Sequence, residues 1–146
     1  MRTRFRFEKL EVWQDARKIN QAIYRLTRKF PREELFALTS QIRRASTSIS
    51  SNIAEGSGRN SDKDFAHFLE QAYGSLMEVA STFYLAFDEG YINEGDLEPL
   101  LDELEKLAKR TVSLNHSLFV QASKTPFSRA KTPALDPRPS TDNVLS

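Results

Sequence analysis

Two carboxylates, Glu55 and Glu78, are the side chains of this sequence with the strongest claim to chemistry. Each lies on a line of polar residues at helical spacing. Gln41, Arg44, Ser48, Asn52, Glu55 and Arg59 step by 3, 4, 4, 3 and 4 residues, which sets all six along one line of a helix. His67, Gln71, Ser75, Glu78 and Thr82 form a second line, with Gly74 beside it. Two facing carboxylates would make a general acid and a general base. The surrounding residues point elsewhere. Arg44 and Arg59 are natural partners for both acids, and polar lines beside apolar ones serve hydrogen bonding between helices or between subunits. No nucleophile, histidine and acid stand in a catalytic order, so no catalytic residue is assigned.

Metals and cofactors fare no better. His67 and His116 have no His or Cys at ligand spacing. The Glu-x-x-His pattern of carboxylate-bridged metal bundles is missing. Gly56-Ser57-Gly58-Arg59 precedes a helix start, the generic setting for an anion. It lacks the lysine and spacing of a phosphate loop, and Asp62 and Asp64 already occupy the positive helix end. A plain helix–helix connection is the better reading, and no cofactor is expected.

The charge is unevenly spread. Residues 1–60 hold thirteen Lys/Arg against six Asp/Glu, a surplus of +7, and residues 61–123 hold four against twelve, a surplus of −8. The last stretch adds +2, for a net +1 over 146 residues. Arg25, Arg28, Lys29 and Arg32 gather where the first helix should end. They form a candidate nucleic-acid patch with salt-dependent, sequence-tolerant binding to RNA or DNA. The same surplus can meet the acidic half of its own chain or of a neighbouring copy. With no cysteine, disulfides and thiolate chemistry are excluded. No signal peptide and no apolar run of membrane length is evident, so no membrane is involved and a cytoplasmic protein is expected.

These residues must be positioned by helices. Val12, Ala16, Ile19, Ile23, Leu26 and Phe30 alternate in steps of 4 and 3, a bundle seam over Lys9 to Lys29. Pro31-Arg32-Glu33-Glu34 reads as the first turn of the second helix, with proline near its start and acids at its positive end. That helix carries Leu35, Leu38, Ile42, Ala45, Ile49 and Ile53, and stops near Gly56-Ser57-Gly58. Its filler, Ser46, Thr47, Ser48, Ser50, Ser51 and Asn52, prefers caps and turns, so pattern and propensity conflict there. Ser61 with Asp64 caps the third helix, whose seam runs from Phe65 to Ala86. Gly74 inside it costs about 1 kcal/mol against alanine, which points to close approach of a neighbouring helix. Gly90 ends it. The fourth helix starts at Asn93 or Asp96, Asp96 being the cap that makes Pro99 harmless. Leu97, Leu100, Leu104, Leu107, Leu114 and Leu118 form its seam.

Short connections make sequential helices antiparallel neighbours. The fold class is all-α: an up-down-up-down four-helix bundle over residues 1–123. Residues 124–146, with four prolines, read as a flexible, disordered Pro-rich tail.

The segments LEVWQDARKINQAIY (10–24), FPREELFALTSQIRRASTSISSNIAEGSGR (30–59), FAHFLEQAYGSLMEV (65–79) and GYINEGDLEPL (90–100) occur in this order. Together they resemble the bacterial four-helix bundle proteins first noticed as reading frames within intervening sequences of 23S ribosomal RNA genes. The resemblance implies a ring-shaped homopentamer. It also implies kinship with the accessory protein of diversity-generating retroelements, which binds a reverse transcriptase and nucleic acid. No enzymatic activity comes with the family. Carried over by position, its signature falls on Trp13, Gln41, Arg43, Arg44, Ser48, Asn52, Glu55, Gly56, Arg59, Gly74, Ser75 and Glu78. Two positions depart. Ser50 stands where the family often has proline, and Ala80 where it often has a second acid, which weakens any acid pair on the third helix. The expected function is a non-enzymatic scaffold or adaptor that assembles with itself. The alternative is a nucleic-acid-binding accessory protein working with a reverse transcriptase.

Overall fold

A computed structural model describes residues 1–124. A 3₁₀ turn, Arg6–Lys9, leads into α1 (Glu11–Thr27), and a second, Arg32–Glu34, precedes α2 (Leu38–Ser57). α3 (Asp62–Asp88) and α4 (Glu94–Lys124) follow. Each helix packs against the next and α1 closes against α4, while the backbones of the diagonal pairs stay apart. With short connections this is the antiparallel four-helix square that the seams predict. The tail expected over 124–146 lies outside the described residues apart from Lys124, which ends α4.

The seams meet on the axis. Ile23, Ile42, Ile53, Leu69, Val79, Phe83 and Leu107 are fully buried. The buried threonines turn back on their own helices: the Thr27 hydroxyl donates to the Ile23 carbonyl at 2.8 Å and the Thr111 hydroxyl to the Leu107 carbonyl at 2.7 Å. Among the described residues no buried side-chain N or O lacks a partner, so the core bears no desolvation penalty from an orphaned polar group.

The helix ends follow their capping chemistry. The Ser61 hydroxyl accepts from the Asp64 N–H at 3.1 Å. Gly90, at φ 78°, turns the chain out of α3 in a conformation that few other residues adopt. Asn93, rather than Asp96, caps α4, with its Oδ1 accepting from the Asp96 N–H at 2.8 Å. Pro99 therefore sits inside the helix, where its missing N–H leaves the Gly95 carbonyl without its helical donor. Before α1, Glu8 takes the place of a cap. Its carboxylate accepts from the Phe5 N–H at 2.5 Å and the Arg4 N–H at 2.7 Å, and these bonds hold it below the usual carboxylate range. Phe7 then lies on Trp13, with ring centroids 4.8 Å apart.

The start of α2 corrects the sequence expectation. Arg32–Glu34 is a separate 3₁₀ turn, and α2 begins four residues later. Ala37, at φ −123° and ψ −104°, is not helical, so the chain swings before the helix starts. The Leu38 N–H is then satisfied by the Glu34 carboxylate at 3.2 Å. Leu35 consequently leaves the seam and is exposed, and Phe36 is 91 % exposed.

Candidate assembly surface

α2 resolves the conflict between its pattern and its filler by packing closely on both sides. Ile42, Ala45, Ile49 and Ile53 face the core. On one shoulder the Ser46 hydroxyl donates to Asn20 Oδ1 on α1 at 2.7 Å. Arg43 Nε donates to Thr27 Oγ1 at 2.9 Å, and its guanidinium lies 4.6 Å over the Tyr24 ring. On the other shoulder Ser48 and Ser75 share a hydrogen bond of 2.9 Å between α2 and α3. Asn52 Nδ2 donates to the Ser48 carbonyl at 2.8 Å and to its hydroxyl at 3.0 Å. Small side chains let the helices approach, and the hydroxyls of Ser46, Ser48 and Ser75 each keep a partner. Gly56 completes the contact: a Cβ there would lie 2.7 Å from Phe68 Cβ and 2.9 Å from Phe65 Cδ1.

The two polar lines therefore have a structural job at Ser48, Asn52 and Ser75, with Arg43 tying α2 to α1. Of the remaining signature residues, Trp13 packs against the core and the others are exposed. Glu55 pairs with Arg59 at 3.1 Å on the surface, an exposed i,i+4 pair worth about 0.3–0.5 kcal/mol. The Arg59 guanidinium also lies 4.6 Å over the Phe68 ring. Gln41, Arg44 and Glu78 are exposed, and neither Arg44 nor Glu78 takes part in an ion pair among the described residues. His67 bonds Gln71 at 3.1 Å and His116 is exposed. Among the described residues no group of three acids and histidines could hold a metal ion.

Gly74 is a second correction. No helix of its own chain approaches it, and a Cβ there would meet nothing within 4 Å. The close approach inferred from its cost has no source inside the bundle.

The sequence reading also passed over a second apolar line on α3. Tyr73, Met77, Ala80 and Tyr84 step by 4, 3 and 4 residues, the same helical signal that marked the core stripe. Opposite them stand Leu101, Ala108 and Val112 of α4. Together they line a groove of about 540 Å³ between the two helices. Met77 is 41 % exposed, and Tyr84 and Val112 are more open still. These apolar side chains gather on one side of the bundle instead of scattering over its surface.

A family model described as 23S rRNA-intervening sequence protein matches residues 8–113, from the turn before α1 to the middle of α4. The chain belongs to this family. A solved structure of a protein with unknown function from the S23 ribosomal protein family of Bacteroides thetaiotaomicron VPI-5482 superposes with a TM-score of 0.67. At 25 % identity the match covers 71 % of this chain and 97 % of that one. No curated protein matches the chain. The family match spans both shoulders of α2, all of α3 and the α4 groove wall as far as Val112. It also spans the basic cluster at the end of α1. Arg25, Arg28, Lys29 and Arg32 are all exposed there, and none takes part in an ion pair among the described residues. Among the described residues no helix is long and apolar enough to cross a membrane.

Proposed function

We propose that this family member is a non-enzymatic bundle whose work is self-assembly into a ring-shaped homo-oligomer that serves as a scaffold or adaptor. The observation that carries the reading is the direction of the ion pairs between packed helices. Arg110 on α4 pairs with Asp15 and, at 3.6 Å, with Glu11 on α1. That contact uses a base of the acidic half and two acids of the basic half. It therefore does not neutralise the +7 and −8 surpluses against each other, and although Lys18, Arg25 and Lys29 line one groove with Asp96 and Glu103, no ion pair between the described residues joins them. Two opposite surpluses on one molecule suit a head-to-tail contact between copies, and heterologous contacts of that kind close into rings. The non-enzymatic part rests on Glu55, spent on Arg59, and on Glu78, exposed without a visible catalytic partner. Light scattering should give a multimer, with five subunits the number that the family resemblance implies. A clean monomer at micromolar concentration would remove the proposal.

The exposed basic cluster favours a second reading, a nucleic-acid-binding accessory protein that works with a reverse transcriptase in a diversity-generating retroelement. Its affinity for RNA or DNA should fall steeply as salt rises. Changing Arg25, Arg28 and Arg32 to Glu should abolish binding while leaving the helical content intact, since all three side chains are exposed. Filter binding or fluorescence anisotropy across a salt series reads both effects. Absence of binding at low salt sinks this reading and leaves the assembly reading standing.

A further inference from the structure

We infer that Phe36 of one copy seats in the α3–α4 groove of the next, an inference that rests on the assembly reading above. Phe36 is the most exposed aromatic side chain in the described residues, at 91 %. It is not on a loose end. Backbone bonds from Glu34 to Pro31, Leu35 to Arg32 and Ala37 to Glu34, of 3.0 to 3.1 Å, hold the connection that carries it. The backbone beneath the ring is therefore already set before docking, and aromatic anchors that fill pockets dominate interface energetics.

Phe36 cannot serve its own groove. It stands on the α1–α2 connection, and the groove lies between α3 and α4 on the opposite edge of the helical square. The partner that fits is thus a second copy, presented head to tail. Charge agrees with this choice. On the connection that carries Phe36, Arg28 and Arg32 line one hollow with Leu35, both exposed and outside any ion pair among the described residues. The α4 rim of the groove carries Glu98 and Glu105, seven residues apart on one helix face, with Asp102 beside them. Of these only Glu105 is engaged, with Lys109 at 3.0 Å. Gly74 fits the same contact. It lies one residue beyond Tyr73 on the outer side of α3, with open space where a Cβ would stand, so an arriving copy can come close there.

The chain has no cysteine, so introduced thiols report without background. Phe36→Cys together with Met77→Cys in one chain should give a disulfide-linked ladder on mild oxidation, whereas either substitution alone should give no cross-link. A dimer from Phe36→Cys alone would mean that the knobs meet each other, and would overturn the inference. Phe36→Asp and Met77→Glu test the contact by affinity. Each should weaken self-association roughly thirtyfold or more, as loss of an interface anchor does. Mixed one to one, they should recover a dimer and nothing larger, because one variant keeps its knob and the other its groove. If Met77→Glu dissolves the multimer and Phe36→Asp does not, something else fills the groove and the inference fails. If the unaltered protein is a multimer but no ladder forms, the knob-and-groove contact is wrong and the assembly reading survives. A monomeric unaltered protein removes both.

Discussion

Phe83→Ala is expected to destabilise the bundle by about 3–5 kcal/mol, the range for truncating a buried aromatic. The side chain is fully buried, with its ring edge-on to Phe30 at 6.2 Å between centroids. It sits near the closed end of the bundle, where Phe30 also meets Tyr91 at 5.7 Å. That cluster joins the α1–α2 and α3–α4 connections, so the walls of the new cavity belong to segments already fixed by Pro31 and Gly90 and cannot easily collapse into it. Near this chain length 1 kcal/mol moves the midpoint by about 2–8 °C, so a thermal melt followed by circular dichroism should drop by roughly 6 °C or more. Phe87→Ala is the internal control. It removes the same atoms one turn later from a side chain that is 38 % exposed, and should cost well under half as much. Equal losses would mean that the buried face of α3 has been misassigned.

The pair also shows what a one-dimensional pattern can decide. Steps of three and four residues carry the seam from Val79 through Phe83 to Ala86, but Phe87, four residues past Phe83 and on nearly the same face, is left undecided by spacing alone. The same rule placed the seams of all four helices, and capping chemistry placed the Ser61 cap and the Gly90 turn, each of which depends on residues within a few positions. It failed at Leu35, which continues the spacing of Leu38 and Ile42 but precedes the non-helical Ala37. Nothing in the local sequence marks that residue as a break. The candidate surface divides along the same line. Spacing put Ser48, Asn52 and Ser75 on polar lines, and Ser48 does meet Ser75 across the two helices, with Asn52 bonded back to Ser48. It could not say that Arg43 folds back over Tyr24 and Thr27 while Arg44, one residue on, stays in water, because that depends on where α1 lies. The groove was legible in principle. Tyr73, Met77 and Tyr84 carry a helical period of their own, but a stripe beside a longer stripe reads as the margin of one core until the neighbouring helix is seen to leave it uncovered.

Gly56→Ala and Gly74→Ala should move stability in opposite directions, although both glycines lie within helices, Gly56 in the last turn of α2 and Gly74 in the middle of α3. At position 56 the new methyl would stand 2.7 Å from Phe68 Cβ and 2.9 Å from Phe65 Cδ1. A Cβ is anchored to its backbone and Phe65 is fully buried, so neither can step aside as a flexible side-chain tip would. Overpacking of this kind costs about 1–3 kcal/mol. The roughly 1 kcal/mol of helix propensity regained offsets only part of it, and α2 is pushed from α3 at the end where Glu55 and Arg59 sit. At position 74 the methyl meets nothing within 4 Å, so the propensity gain of up to about 1 kcal/mol is kept in full by the isolated chain. Chemical denaturation at low protein concentration measures both shifts. The same Gly74→Ala protein, examined by light scattering at high concentration, then separates two explanations of why a glycine stands there. If it melts later and assembles as before, position 74 is simply unoptimised surface. If it melts later as a monomer yet assembles more weakly, the helix has kept a costly residue because another copy packs against its bare backbone.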